Sequence, residues 1–244
     1  MNLEGKVALI TGAGRGIGRA ITDCFVKEGV KVALVARSGD ELDQAVQEIT
    51  DDGGIAIAVP TDITDEEQVI DMVSVTEQEL GPIDILVNNA GVMSLKPIVD
   101  TTVEEWIRIM DTNLLGVFLC AKYILPSMME RRTGRIINIG SMAGRRGYPA
   151  QGAYCCSKHG LYGLTKVMAI ECQPFGIRVN MVSPGGVLTE MSESLLSSRG
   201  GASQASEWMS ADEVAEGVLY IASQDGPAMT DELVLRRNSS EPWR

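Results

Sequence analysis

TGAGRGIG, residues 11–18, lies between a short apolar run and a helical pattern, and this context decides the fold. Its glycines are spaced T-G-x-x-x-G-x-G, which differs from the dinucleotide fingerprint G-x-G-x-x-G. Glycines in a strand–turn–helix unit let the backbone approach a phosphate, and the helix N-terminus offers free N–H groups. An ordinary tight turn is the alternative. We predict a phosphate site formed by Gly12, Gly14, Arg15, Gly16, Ile17 and Gly18.

Apolar runs and helical patterns alternate along the rest of the chain. Runs rich in Val, Ile and Leu predict strands at 6–10, 30–36, 55–59, 83–88, 135–141, 177–183 and 232–237. Helices are predicted between them, and such alternation indicates parallel βαβ units. The predicted fold class is α/β: a single-domain Rossmann fold over residues 1–244, with a doubly wound parallel sheet of about seven strands and helices on both faces.

Local signals predict where helices begin and where the chain departs from regular structure. Pro126 should kink or interrupt the helical region at about 102–132. The Ser- and Gly-rich segment 192–207 is predicted to be a mobile substrate loop, and 238–244 a C-terminal tail. Three predicted capping boxes are Thr64 with Glu67, Thr102 with Glu105, and Ser210 with Glu213.

Composition excludes several functional classes. The net charge of −12 disfavours nucleic-acid binding. The longest uncharged apolar runs are too short to span a bilayer, so we expect no membrane partner. The first residues are typical of a strand rather than a signal peptide, and we expect a cytoplasmic protein.

Histidine and cysteine usage limits the chemistry. His159 is the only histidine, which rules out a His-rich zinc site, and we predict no metal. The five cysteines include no C-x-x-C pair, so buried free thiols are expected rather than a disulfide framework.

The end of the second predicted strand bears on the type of nucleotide. Sites for NAD often place Asp or Glu there to bind the ribose 2′-hydroxyl. Here Arg37 and Ser38 follow the strand, and Arg37 offers a charge-assisted contact to a 2′-phosphate. Arg15, within the glycine turn, could reach the same phosphate. NADP(H) is therefore preferred over NAD(H), although both arginines could simply be solvated.

Three residues between 141 and 158 suggest proton transfer. Ser141 ends a strand, and Tyr154 and Lys158 share one helix face at i, i+4. A nearby ammonium is expected to lower the pKa of the tyrosine. Tyr154 would then exchange a proton with a carbonyl or alcohol oxygen, while Ser141 hydrogen-bonds that oxygen.

Taken together, these motifs resemble the classical short-chain dehydrogenase/reductase family. The matches follow family order: TGAGRGIG (11–18), Asp62, NNAG (88–91), Asn113, Ser141, Tyr154-x-x-x-Lys158 and PGGVLT (184–189). The resemblance implies a catalytic set of Asn113, Ser141, Tyr154 and Lys158, with Asn113 anchoring a water-linked relay to Lys158. It also implies a cofactor set that adds Asp62, Ile63, Asn89, Ala90, Gly91, Pro184, Gly185, Val187 and Thr189.

The sequence indicates less about the residues that bind the substrate. Arg145, Arg146 and Tyr148 follow the catalytic serine and are candidates to hold an anionic or carrier-bound substrate, although a solvated loop is the alternative. Met93, Ser94 and Leu95 follow NNAG and are expected at the pocket wall, where they give shape rather than chemistry. The resemblance implies a homo-oligomer, a tetramer or dimer, formed mainly through helices around 112–131 and 157–172.

Three functions remain open. The first is an NADPH-dependent carbonyl reductase, most like the 3-oxoacyl-carrier-protein reductase branch of the family. The second is an NAD(P)-dependent dehydrogenase of a sugar, polyol or small anionic alcohol. The third, ranked lower because the catalytic set is complete, is a regulator that senses NADPH without turnover.

Overall fold

Seven strands form one parallel sheet in the order β3-β2-β1-β4-β5-β6-β7, which confirms the predicted fold class. The computed structural model describes residues 2–192 and 207–240. The strands are β1 (Val7–Thr11), β2 (Lys31–Ala36), β3 (Ala56–Pro60), β4 (Ile85–Asn88), β5 (Gly134–Ile139), β6 (Ile177–Pro184) and β7 (Glu232–Leu235).

Helices cover both faces of this sheet. They are α1 (Gly16–Lys27), α2 (Gly39–Asp51), α3 (Glu66–Leu80), α4 (Val103–Met110), α5 (Gly116–Arg131), α6 (Gly152–Cys172) and α7 (Ala211–Ser223). One apolar core joins α1, α2 and α7 to the sheet, and a second joins α3, α5 and α6. Because the inner strands are covered on both sides, they are almost entirely buried.

The strand order reverses next to β1, which pairs with both β2 and β4. Crossovers leave this point in opposite directions, so the loops after β1 and β4 separate and open a crevice. Ligands of such sheets bind at this edge, beyond the carboxyl ends of the strands.

Two of the three predicted capping boxes are present, at Thr102 with Glu105 and at Ser210 with Glu213. The third prediction was wrong by one residue. Asp65 caps α3 by accepting from the backbone N–H groups of Glu67 and Gln68, because the Thr64 hydroxyl is committed to Asp62.

The predicted interruption at Pro126 was also misplaced. The α5 helix continues through Pro126, where the buried neighbours Ile124 and Met128 hold it against the sheet. The regular helix is instead interrupted by a π-helical turn at Asp111–Leu115. Such turns insert an extra residue and are frequent at functional sites.

The helical run Val103–Arg131 bears on the expectation about membrane spans, although it is not an uncharged run. Its 29 residues include a window with a mean hydropathy of 1.3, which is long and apolar enough to cross a bilayer by composition alone. Packing explains much of this apolar character, since 44% of the window is buried inside the protein.

Some predictions fall partly outside the described residues. These are the loop 192–207, of which 193–206 are not described, and the tail, of which 241–244 are not described. The single-domain assignment stays a prediction.

Candidate active site

A cleft of about 1430 Å³ opens at the carboxyl ends of the strands. This exceeds the volume of a typical small-molecule pocket, roughly 300–1,000 Å³, so it has room for a dinucleotide and a second molecule. The cleft runs from the loops after β1 and β2 to the loops after β5, β6 and β7.

The glycine turn forms one wall through its backbone. Gly12 and Gly16 have φ values of +66° and +57°, which favour glycine. A Cβ on Gly18 would lie 2.1 Å from the Gly12 carbonyl oxygen, so this position also requires glycine. No side chain caps the start of α1, and its first N–H groups are therefore free to bind an anion.

Hydrogen bonds from the neighbouring NNAG segment hold this turn in place. The Asn89 side-chain amide donates to the carbonyl oxygens of Thr11 (2.9 Å) and Gly12 (3.1 Å). The Thr11 hydroxyl accepts from the backbone N–H groups of Asn89 and Ala90, each at 3.0 Å. The turn is thus tied to the loop after β4.

Charged and polar side chains lie after β2 and β3. Arg37 and Ser38 line the cleft, and among the described residues no carboxylate lies within ion-pair distance of Arg37. Arg15 is paired with Glu190 (2.8 Å) and, more loosely, with Glu41 (3.6 Å). A 2′-phosphate would therefore compete with these carboxylates for Arg15, whereas Arg37 has no such competitor within the described ranges.

At the other end of the cleft, Ser141, Tyr154 and Lys158 come together as predicted. Ser141 follows β5, and its Oγ accepts from the backbone N–H of Ala143 (3.1 Å). Tyr154 and Lys158 lie one turn apart on α6, and the Lys158 Nζ donates to the Ile139 carbonyl oxygen (2.8 Å). This bond fixes the ammonium beneath the tyrosine, with Nζ 5.9 Å from the centre of its ring.

Burial sets the ionisation of this pair. Desolvation raises the pKa of Tyr154, and a hydrogen bond with Ser141 only partly offsets that effect. Desolvation also lowers the pKa of Lys158 to about 8. The expected lowering of the tyrosine pKa was wrong, because burial outweighs the effect of the hydrogen bond with Ser141.

Asn113 lies in the π-helical turn and is fully buried. Its side-chain amide donates to the Val92 carbonyl oxygen (2.9 Å) and to the Ser157 Oγ (3.0 Å). Its Oδ1 accepts from the Val92 N–H (2.8 Å). Asn113 therefore joins the segment after NNAG to α6 just beside Lys158, and it does not itself line the cleft.

The loop after β6 lines the middle part of the cleft. The backbone N–H of Gly185 donates to the Leu235 carbonyl oxygen (2.8 Å), and that of Met209 to the Gly186 carbonyl oxygen (3.1 Å). The predicted residues Pro184, Gly185, Val187 and Thr189 all line the cleft.

Comparison with known proteins assigns this arrangement to a family. The model of short chain dehydrogenases matches residues 6–200. The chain belongs to the short-chain dehydrogenase family. It is 39% identical over 237 residues to the 3-oxoacyl-(acyl-carrier-protein) reductase FabG of Vibrio cholerae, covering 95% of this chain and 96% of the relative.

Two solved structures resemble this short-chain dehydrogenase over nearly its full length. A short-chain dehydrogenase/reductase from Mycobacterium marinum is 38% identical, with a TM-score of 0.89 over 96% of this chain and 95% of that one. A metagenomic short-chain oxidoreductase in complex with NADP is 30% identical, with a TM-score of 0.84 over 98% of this chain and 100% of that one.

Most of the residues predicted for this short-chain dehydrogenase lie at the cleft, including Asp62, Ile63, Asn89, Ala90, Gly91, Arg145, Arg146 and Tyr148. Of the residues expected after NNAG, Met93 lines the cleft, whereas Ser94 and Leu95 do not. Gly18 also lies behind the cleft wall, where it supports the turn.

The cleft residues that the sequence did not single out include Trp208, Arg236 and Arg237. They lie before α7 and after β7, in segments that match none of the motifs. The basic pair in LVLRR was the available signal, but the sequence alone gave it no role beyond the end of the last strand.

Proposed function

We propose that the protein transfers hydride between NADP(H) and a carbonyl or secondary alcohol, with carbonyl reduction as its main direction. The observation that carries this proposal is the shared cleft. Ser141, Tyr154 and Lys158 line the same cavity as the glycine turn and the uncapped start of α1. Family membership supports the reaction class.

The chain's own residues supply the proton and the geometry. Tyr154 donates its hydroxyl proton to the substrate oxygen, and its raised pKa keeps that proton in place at neutral pH. Ser141 hydrogen-bonds the same oxygen and sets its orientation. Lys158, held by the Ile139 carbonyl, stabilises negative charge on the tyrosine as the proton leaves. NADPH, when bound, supplies the hydride that reaches the carbonyl carbon.

Several features support NADP(H) as the cofactor. The uncapped N-terminus of α1 fits a pyrophosphate, and Arg37, which has no ion-pair partner among the described residues, fits a 2′-phosphate. The metagenomic relative was crystallised with NADP. In this assignment Asp62, Asn89 and Ala90 line the adenosine half, while Pro184 to Thr189 line the nicotinamide half.

Direction and substrate are inferred from the relatives. The Vibrio cholerae relative is named a reductase, which favours the reductive direction. The name of the Vibrio cholerae relative supports a 3-oxoacyl substrate. A dehydrogenase acting on a sugar, polyol or small anionic alcohol is the second candidate, and a sensor without turnover the third.

We also propose that the protein is cytoplasmic, that each protomer is a single domain and that four protomers form a homotetramer. The exposed apolar side chains of Phe118 on α5 and of Val167 and Ile170 on α6 support this assembly, since a second copy would cover them.

The test is Tyr154→Phe. NADPH consumption with a 3-oxoacyl thioester is expected to fall about 10²- to 10⁴-fold, because proton donation is lost. The dissociation constant for NADPH should change less than about twofold, since the hydroxyl is the only group removed. Undiminished turnover in this variant would overturn the assignment.

A further inference from the structure

Arginines are concentrated at the substrate end of the cleft, although the protein as a whole carries a net charge of −12. Arg145 and Arg146 come from the loop after β5, and Arg236 and Arg237 follow β7. Unlike Arg15 and Arg37, which line the cleft at the glycine turn and after β2, these four come from the segments after β5 and β7.

The four guanidinium groups are not equivalent. Arg145 is ion-paired with Glu232 (3.3 Å), a carboxylate that also accepts from the Ser183 hydroxyl (2.7 Å). Arg236 donates to the carbonyl oxygens of Arg237, Asn238 and Ser240, so it braces the turn that follows β7. Arg145 is therefore occupied in joining the loop after β5 to β7, and Arg236 in holding its own turn.

Arg237 and Arg146 are different, because neither has a carboxylate within ion-pair distance among residues 2–192 and 207–240. The Arg237 guanidinium lies 5.4 Å from the ring centre of Trp208. Arg146 lies 4.9 Å from the ring centre of Tyr148 and donates to its hydroxyl (2.7 Å). Stacking on aromatic rings restricts each guanidinium without neutralising its charge.

Trp208 connects Arg237 to the catalytic end. Its side chain is only 7% exposed, and its six-membered ring packs on Gly186, where a Cβ would lie 3.1 Å from the ring. Gly186 belongs to the loop after β6 that lines the cleft. The indole Nε1–H is buried and has no hydrogen-bond acceptor in the part of the chain that the structure describes.

We propose that Arg237, assisted by Arg146, binds an oxyanion carried by the substrate at a position remote from the reacting carbonyl. The substrate class is thus a carbonyl compound with a carboxylate or phosphate group. A planar guanidinium accepts either group through two parallel N–H···O bonds. This inference rests on the proposed function, and it adds that the substrate of that reaction carries a negative charge.

The oxyanion has two sources, a free keto acid or the phosphates of a pantetheine-type thioester, and two substrate pairs distinguish them. The first pair is acetoacetate against its neutral ethyl ester. The second is acetoacetyl-coenzyme A against the neutral acetoacetyl-N-acetylcysteamine thioester. The source is the pair in which the anionic member has the higher kcat/KM with wild-type protein and NADPH.

The decisive variant is Arg237→Met, with Arg237→Lys to separate charge from fork geometry. We expect Arg237→Met to lower kcat/KM for the preferred anion about 10- to 100-fold, and for its neutral partner less than about threefold. Arg237→Lys should be intermediate. Lys27→Met is the matched control, because it removes one exposed positive charge outside the cleft and should leave both values unchanged.

The outcomes separate this inference from the proposed function. If neutral and anionic members are reduced equally by the wild type, or if Arg237→Met lowers both alike, the anion site is overturned while hydride transfer stands. If no carbonyl compound is reduced, the proposed function fails. Calorimetric titration of acetoacetate and coenzyme A into the protein with NADP⁺ then tests the site alone. Binding by wild type that Arg237→Met loses would support it, and equal binding or none would overturn it.

Discussion

At the β1–β3 end of the cleft the glycine turn offers backbone groups to a ligand, whereas at the β5–β7 end the catalytic and basic residues offer side chains. Gly12, Gly16 and the uncapped start of α1 present N–H groups to a ligand. Tyr154, Trp208 and Arg237 present rings and charged groups at the other end. A backbone site fits a ligand common to many relatives, while side-chain sites can change from one protein to the next without disturbing the fold.

The largest expected effect tests the backbone end. Gly18→Ala introduces a Cβ 2.1 Å from the Gly12 carbonyl oxygen and 2.5 Å from the Asn89 amide, so the turn must shift. We expect NADPH affinity to fall at least about 100-fold, or the free energy of unfolding to drop by about 3 kcal/mol. Calorimetry and chemical denaturation measure the two quantities.

Gly163→Ala is the control for that change. Gly163 lies in α6, and a Cβ added there would have no neighbouring atom within 4 Å among the described residues. Within one protomer alanine should therefore be neutral or stabilise the helix by up to about 1 kcal/mol. Because Gly163 shares a face of α6 with Val167 and Ile170, size-exclusion chromatography of the variant checks that the assembly is unchanged. Equal behaviour of the two variants would show that the close packing at Gly18 does not constrain the turn.

Charge at the backbone end should matter for one cofactor only. Arg37→Ala is expected to weaken NADPH binding about 10- to 50-fold and NADH binding less than about twofold, since only NADPH has the 2′-phosphate. Arg237→Met should leave both affinities unchanged. A similar loss for NADH would mean that Arg37 acts on the fold or on another part of the cofactor.

The pH profile reports on the side-chain end. Because the pKa of Lys158 is lowered to about 8, its ammonium is lost as pH rises through that value. If cofactor binding and proton transfer use this charge, kcat/KM for NADPH should fall about tenfold between pH 7 and pH 9. Steady-state rates across this range measure it, and a flat profile would contradict the role of Lys158.

The smallest expected effect is that of changing Glu232, which holds Arg145 at the substrate end of the cleft. Glu232→Gln removes the charge that pairs with Arg145 but keeps a group that can accept from Ser183. We expect kcat/KM for the preferred substrate to fall about two- to fivefold, with NADPH affinity unchanged. A loss beyond about 50-fold would mean that Glu232 contacts substrate directly.

Sequence predicted the backbone end well, because its requirements are local. Glycines at fixed spacing between a strand and a helix specify the turn, and strand–helix alternation specifies the parallel sheet. Tyr154 and Lys158 were also predictable, since i, i+4 spacing on a helix places them on one face.

The predictions that failed concern residues far apart in the sequence, or groups for which two interactions compete. Arg237 reaches the cleft only because β7 pairs with β6, so its role depends on tertiary structure. The direction of the Tyr154 pKa shift could not be anticipated because it is set by burial, which is a property of the fold. Asp65 replaced Thr64 as a cap because the Thr64 hydroxyl already bonds Asp62.

The hydrogen bonds that Asn89 and Thr11 make around the glycine turn join protein atoms only. The entropic cost of ordering that turn therefore arises when the chain folds and not when a ligand binds. The turn is thus preorganised for the binding of a dinucleotide. Its association rate should depend on diffusion and electrostatic attraction more than on loop closure.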